Sequence, residues 1–488
     1  MNARTTTRAA EIRGALDHPI IDADGHFVEV EPQMTDEILA YLESVHPDLR
    51  DLYLRGKVGP TDTSSNLADN PGDTARDRWT SAPSWWGWPT KNVRDRATAH
   101  LPALLDERLD ELGIDYTILY PSMSLSFLDM QDAELSGALC RAVNRMHARV
   151  FAPYSARMCV GALIPMNTPA LAVEVLEDAL TLGFKAGVMS GYAARPIARL
   201  EREAGHLDPP VVRFDTFGLD SAYDYDPFWA RCVQSGFSPV SHSSTQRYHV
   251  ARSPSNYVYN HVGGIGRSQE ALAKSLLMGG VTRRFPDLRV GFLEGGVAWA
   301  CSLFADLLGH WEKRNRDAIE ALDPDLLDVD ALLEYFDRYA AEDVTERRER
   351  VQGFFSKPAA RPEQRDDFAA AEITTAQDLH DLFVPRFYFG CEADDPLVAW
   401  AFAEKVNPLG ARLRAMLGSD ISHWDVTDMT HPVAEAWELV ERGTLAESEF
   451  KDFAFMNAAR LHAGPNPAFF QGTRVESAVA EALAESSD

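Results

Sequence analysis

Short apolar runs alternate with stretches of helical period along most of this chain. The runs are "PIIDADGH" (19–26), "DYTILYPS" (115–122), "MCVGALIP" (158–165), "FKAGVMSG" (184–191), "SPVSHSS" (238–244), "LRVGFLEGG" (288–296), "RFYFGCEADDP" (386–396) and "RAMLGSD" (414–420). Between most of them fall amphipathic segments: "LPALLDERLDELG", "AELSGALCRAVNRMHARV", "PALAVEVLEDALTLG", "DPFWARCVQSG", "SQEALAKSLLMGG" and "VAWACSLFADLLGHWEKR". Several open on a proline or a capping residue and close at a glycine. Eight strands alternating with helices predict a (β/α)8 TIM barrel, with a doubly wound open sheet as the main competitor.

Such a barrel needs only roughly 250 residues, so part of this 488-residue chain must lie in insertions. A single barrel domain is expected over 19–472, with insertions at about 28–100, 192–226 and 313–384 and flexible termini at 1–18 and 473–488. The first two insertions follow strands and are therefore expected over the catalytic face. The first carries "RWTSAPSWWGWP", with Trp79, Trp85, Trp86 and Trp88, a candidate apolar roof. In the third, "EDVTERRERVQG" reads as a solvated helix.

With 45% hydrophobic and 25% charged residues, the composition is that of an ordinary globular protein. A formal charge of -27 argues against a nucleic-acid or anionic-membrane partner. The sequence has no apolar run of about 18 residues to span a bilayer. The polar "MNARTTTRAAEIRG" lacks the apolar segment of a signal peptide. Five scattered cysteines, never spaced as CxxC, suit a reducing cytoplasm and exclude a cysteine-built zinc ribbon.

In a barrel the C-terminal ends of the strands converge on one pocket, so the polar residues closing the apolar runs are the candidates. The first strand offers Asp24 and His26, two apart and on one face of an extended chain, with Asp22 one step deeper and suited to orienting a ligand. The fifth offers His242, the sixth Glu294, and the eighth Asp420 followed by His423. His261, in "YNHVGG", follows the fifth strand. Glu392, Asp394 and Asp395 read as a solvated turn or a helix cap. His147, His249, His310, His431 and His462 read as surface or packing residues. Any one of these motifs alone is an ordinary turn or cap. Their coincidence at four strand ends, after apolar runs, is the signal: such groups are costly to bury unless paired or bound to metal.

"DADGH", "SH", "GGVTRRFPDLRVGFLEGG" and "GSDISHWD", with the closing "FMNAARLHAGPNPAFF", resemble the amidohydrolase-related family, in particular its decarboxylase-like branch of metal-dependent (β/α)8 barrels. The resemblance maps the family's first-strand pair to Asp24 and His26, its fifth-strand histidine to His242 and its eighth-strand aspartate to Asp420. Two positions depart from the family. Asp24 stands where His or Glu is usual, and Glu294 stands where the sixth-strand motif normally offers a catalytic histidine. Lys185, the candidate for a carbamylated lysine, sits at the start of its strand.

The carboxylate-rich set also resembles the TIM-barrel non-haem diiron monooxygenases, known from diterpenoid hydroxylation in platensimycin and platencin biosynthesis. That resemblance implies two irons on Asp24, His26, His242, His261, Glu294 and Asp420, with Glu294, Asp420 and His423 catalytic. It implies O2-dependent hydroxylation of an unactivated C–H in a bulky hydrophobic acid or its CoA thioester. An external electron donor would be needed, because no flavin or nicotinamide fingerprint is present. Arg247, Arg283 and Arg284 are candidates for CoA phosphates, and a homodimer is expected from the family. The alternative is a zinc- or manganese-dependent hydrolase or non-oxidative decarboxylase of a small carboxylic acid, with Glu294 or His423 as general acid or base. A barrel that merely binds a ligand is the third reading.

Overall fold

The structure is a computed structural model describing residues 6–485 except 57–80, 83, 85, 206–210, 243–251 and 358–364. Each of the eight apolar runs forms a strand of one parallel sheet: β1 (Ile21–Phe27), β2 (Tyr116–Pro121), β3 (Met158–Leu163), β4 (Ala186–Met189), β7 (Pro239–Ser241), β8 (Val290–Phe292), β9 (Phe387–Glu392) and β10 (Arg414–Gly418). The sheet order is β1-β2-β3-β4-β7-β8-β9-β10. Side chains on both faces of these strands are buried almost throughout, the condition that makes parallel strands read as continuous apolar runs. The helices lie where their periodicity places them. Asp132 caps Ala133–Phe151, Thr168 caps Pro169–Thr181, and Gly113 ends Pro102–Leu112 in the left-handed conformation.

The seam between β10 and β1 closes just beyond the ladders. The Asp420 N–H donates to the Asp24 carbonyl at 2.9 Å, and the His26 N–H donates to the Ile421 carbonyl at 2.9 Å. The eight parallel strands thus form a nearly closed barrel, and its seam brings the polar ends of the first and last strands together.

The structure differs from the sequence reading in four places, and in the first of them the terminus expected to be flexible over 1–18 holds a helix, Arg8–Ala15, capped by Thr7 with Ala9 buried. The 192–226 insertion contains an antiparallel hairpin, β5 (Ala193–Pro196) with β6 (Val212–Asp215). Arg195 fixes it to the barrel by donating to the Asn167 carbonyl at 2.6 Å and the Tyr225 hydroxyl at 2.8 Å while paired with Asp215. The solvated helix expected over 342–353 is two short ones, Glu342–Thr345 and Arg348–Phe355. The tail expected to be flexible forms a helix, Glu476–Glu485, because Val479 is buried and Ala478, Ala482 and Leu483 pack on the core at helical spacing. Trp79, Trp85, Arg247 and His249 lie outside the described residues.

His147 and His462 are fully buried packing residues, and burial pushes both imidazoles down to about 3. Each stays neutral in the folded protein, whereas in the unfolded chain it takes up a proton near the ordinary histidine value of 6.5. The unfolded state therefore binds more protons between those values, and stability is lost as pH falls from 6.5 toward about 3. His462 stacks on Phe469 with ring centroids 4.5 Å apart, so His462→Phe preserves its packing. Chemical denaturation at a series of pH values is expected to show the variant gaining on the wild type at about 1.4 kcal/mol per pH unit across that window. Parallel pH profiles would show that His462 is not protonated on unfolding.

Candidate metal centre

β1 carries one more residue than β2 between Asp22 and Gly25, a bulge that turns the end of the strand. Gly25 is required there: a Cβ would lie 2.6 Å from Asp22 Oδ2 and 2.7 Å from Thr117 Oγ1. Asp22 is wholly buried. It accepts hydrogen bonds from the Ser419 N–H (2.9 Å), the Ser419 hydroxyl (2.7 Å) and the Thr117 hydroxyl (2.7 Å). It thereby ties β1 to the residue preceding Asp420.

Above this anchor four donors converge. His26 Nε2 lies 3.2 Å from His242 Nε2, 3.2 Å from Asp420 Oδ1 and 3.7 Å from Asp24 Oδ1. His242 Nε2 also lies 3.0 Å from Glu294 Oε2. Both Asp24 Oδ1 and Asp420 Oδ1 are buried and without a hydrogen-bond partner. Burial pushes Asp24 and Asp420 well above the usual carboxylate range, reinforced by neighbouring acids, while burial and the adjacent histidines push His26 well below its usual value. Burial alone would raise Glu294 and lower His242. Their mutual attraction wins, holding Glu294 low and His242 high. Two imidazole nitrogens facing each other beside orphaned carboxylate oxygens are destabilising as they stand, and a divalent cation among them resolves all the conflicts at once. The donor set fits a metal.

Backbone strain aims these groups. Glu294 and Asp420 adopt φ of 61° and 48°, the left-handed region that costs non-glycine residues about 1–2 kcal/mol each. Beside Glu294, Gly295 leaves no room for a Cβ against the Gln269 amide, which donates to the carbonyls of Ser241 and Leu293 and so joins the ends of β7 and β8.

His423 forms the outer wall. Its side chain is 16% exposed, its ring stacks on His26 at 4.8 Å, and Nδ1 lies 2.9 Å from Asp420 Oδ2 and 3.1 Å from Asp425 Oδ1. Glu294, Asp420, His423 and Asp425 make a second group of possible ligands next to Asp24, His26 and His242. In the second group the imidazole already bridges two of the carboxylates, and each group holds one orphaned oxygen, Asp24 Oδ1 in the first and Asp420 Oδ1 in the second.

His261 is not part of either group. It is half-buried in an aromatic cluster at the barrel mouth, 5.6 Å from Tyr257 and 5.2 Å from Trp424, ring to ring. Trp86 from the first insertion joins that cluster, 5.4 Å from Tyr257 and 6.0 Å from Trp424. Lys185 is at the far end of its strand, donating to the Ala468 and Phe469 carbonyls. Arg283 is engaged by Asp378 and the Ala371 carbonyl, and Arg284 by both oxygens of Asp226, so neither forms a free phosphate patch. Asp395 caps the 3-10 helix Pro396–Phe402, as its sequence suggests. Sequence reasoning missed three groups at the site. Glu392, at the end of β9, is pushed well above the usual carboxylate range by burial and by Glu294, Asp425 and Asp24. Asp425 is the second acid on His423. Tyr120 has a buried hydroxyl without a hydrogen-bond partner, and its ring lies 6.5 Å from that of His242.

The model of the amidohydrolase family (Amidohydro_2) matches residues 21–462. An amidohydrolase from Mycobacterium avium subsp. paratuberculosis K-10 is similar in structure at a TM-score of 0.50 and 17% identity, covering 92% of this chain and 100% of that one. That likeness agrees with the barrel. A dihydroxybenzoic acid decarboxylase from Polaromonas sp. JS666, with bound manganese, aligns at 0.47 and 15% identity over 91% of this chain and 97% of that one. 5-Carboxyvanillate decarboxylase from Sphingomonas paucimobilis aligns at 0.45 and 13% over 91% and 98%. No curated protein sequence matches. The expectation of a dinuclear-iron monooxygenase is overturned by the match of residues 21–462 to the amidohydrolase family. The reason is chemical: buried carboxylates and imidazoles serve zinc and manganese as readily as iron, so the ligand types carried no redox information. Matched from Ile21 at the head of β1 to His462 beyond β10, the chain belongs to the amidohydrolase family.

Proposed function

We propose that this protein is a zinc- or manganese-dependent enzyme of the amidohydrolase type that cleaves a small carboxylic acid without net redox change, by hydrolysis or by loss of CO2. The observation that supports this best is the convergence of Asp24, His26, His242 and Asp420 with two buried, unpartnered carboxylate oxygens. These four residues would hold one divalent cation. When bound, that cation polarises a substrate oxygen and lowers the pKa of a bound water.

The remaining chemistry belongs to the chain. Glu294 Oε2 lies 3.0 Å from His242 Nε2; with that nitrogen on the cation, the Glu294 carboxylate would be the group beside the ligands able to take up a proton. His423 keeps Nδ1 on Asp420 and Asp425 and turns its partly exposed edge to the mouth, the position of a general acid or base that meets substrate. Glu294 stands where the family resemblance expects histidine, so proton transfer is assigned to His423 acting with Glu294. The cluster of Trp86, Tyr257, His261 and Trp424 gives the mouth flat apolar walls suited to a planar acid.

The test is turnover of a panel of aromatic and heteroaromatic carboxylic acids, amides and lactones by the zinc- or manganese-loaded protein, in air and under nitrogen. Equal rates with and without oxygen, and release of CO2 or a hydrolysis product, are expected. Product formation that consumes oxygen mole for mole would overturn the proposal.

A further inference from the structure

Three neighbouring strands of the barrel open with arginine: "RVGF" (289–292), "RFYF" (386–389) and "RAML" (414–417). Their registers place all three at the face opposite the metal centre. Arg289 immediately precedes β8, the Val290 N–H donates to the Arg386 carbonyl at 2.9 Å, and Arg414 at the start of β10 pairs with Tyr388 of β9. Arg412 and, from the helix Asn457–Ala463, Arg460 stand beside them. A cleft of about 340 Å³ opens here, lined by Arg412, Arg414, Arg460, Asp452, Asn457 and Phe402.

The charges do not balance. Arg460 lies 3.0 Å from Asp452, and Arg412 is shared between Asp452 (3.3 Å) and Glu404 (3.1 Å) while packing over Phe402. Arg289 donates to the carbonyl of Arg460, and Asp287 and Asp381 are the acids near Arg386. Five guanidiniums thus face four carboxylates. Arg414 has no ion-pair partner among the described residues: it lies over the Tyr388 ring at 5.5 Å, and its Nε is buried without a hydrogen-bond partner. Arg386 Nε is likewise unpartnered. Burial, with the neighbouring Arg460 and Arg289, presses the Arg414 guanidinium below its usual value against the pull of Tyr388 and Asp452. In a chain of net charge -27, such an excess is not the background.

We propose that this cleft binds a phosphate group, free or carried on a small metabolite, with Arg414 and Arg460 as its main contacts. Planar guanidinium forks suit a tetrahedral oxyanion, and Arg414, which has no ion-pair partner among the described residues, leaves an excess of positive charge for it to meet. The site is separate from the metal centre and does not depend on the function proposed for it.

The experiment is calorimetric titration of the metal-loaded protein with inorganic phosphate, pyrophosphate and AMP at constant ionic strength. One saturable site is expected for at least one probe, weakened roughly tenfold or more in Arg414→Gln and retained in His242→Ala. Tighter binding of AMP than of phosphate would assign an ester-borne group, and the reverse a free ion. Arg460→Gln gives the same reading if the Arg414 variant does not fold. Absence of saturable binding by all three probes overturns the proposal. So does binding unchanged in a folded Arg414 or Arg460 variant, or binding lost only in His242→Ala, which would place phosphate on the metal.

Discussion

His242→Ala is expected to lose its metal and its activity together while remaining folded. His242 sits at the end of β7 with Nε2 on both His26 and Glu294, so its removal takes one of four convergent donors and the partner that holds Glu294 charged. Losing an outer partner of a metal ligand typically costs 10–100-fold in affinity or activity, and losing a ligand should cost more than roughly 100-fold. Metal content after dialysis and kcat/KM on any substrate found are the two readouts. The fold should persist, because the bond that continues the ladder here, from the His242 N–H to the Met189 carbonyl at 3.1 Å, is a backbone bond that alanine keeps. Retention of full metal content by the variant would remove His242 from the site.

The second large effect is structural and lies one layer below. Asp22→Ala removes the acceptor of the Ser419 N–H, the Ser419 hydroxyl and the Thr117 hydroxyl, all in a wholly buried setting. Each buried donor left unmet costs about 1–3 kcal/mol, so a loss of about 3 kcal/mol or more is expected from urea unfolding with an unchanged m-value. Asp22→Asn, which keeps the shape and part of the bonding, should lose less than half of that. Because Ser419 precedes Asp420, the alanine variant should also bind metal more weakly, whereas a residue that serves packing alone would leave metal affinity unchanged. A change below about 1 kcal/mol would show that the buried carboxylate does not anchor the seam.

The barrel was legible because parallel strands buried on both faces leave uninterrupted apolar runs, and all eight runs became strands. The site was legible by one rule, that polar groups ending such runs meet at one mouth. The same rule applied to "FYFGCE" would have found Glu392. It was set aside because the acids that follow it make a cap, which Asp395 does form. Asp425 and Tyr120 were hidden for different reasons. Asp425 lies in a loop whose path no periodicity describes, and Tyr120 is a strand residue indistinguishable from core by type. His261 was overread because a histidine near a strand end in sequence need not point into the barrel. Here it turns toward Tyr257 and Trp424. The tail helix over Glu476–Glu485 was missed because an alanine-rich segment ending in "ESSD" resembles a solvated end, and the stabilising contact, burial of Val479, is tertiary. The largest error was chemical. Ligand identity does not separate a redox-active metal from one that is not, and it was the family match over 21–462 that overturned the monooxygenase reading.

The central claim is that one divalent cation, held by Asp24, His26, His242 and Asp420, serves a redox-neutral reaction. Elemental analysis of the protein purified without added metal tests it most directly. The account predicts about one equivalent of zinc or manganese per chain, the open-site count for a single catalytic ion. Two equivalents of iron, or a stable protein with no metal that cannot be loaded by zinc or manganese, would contradict it.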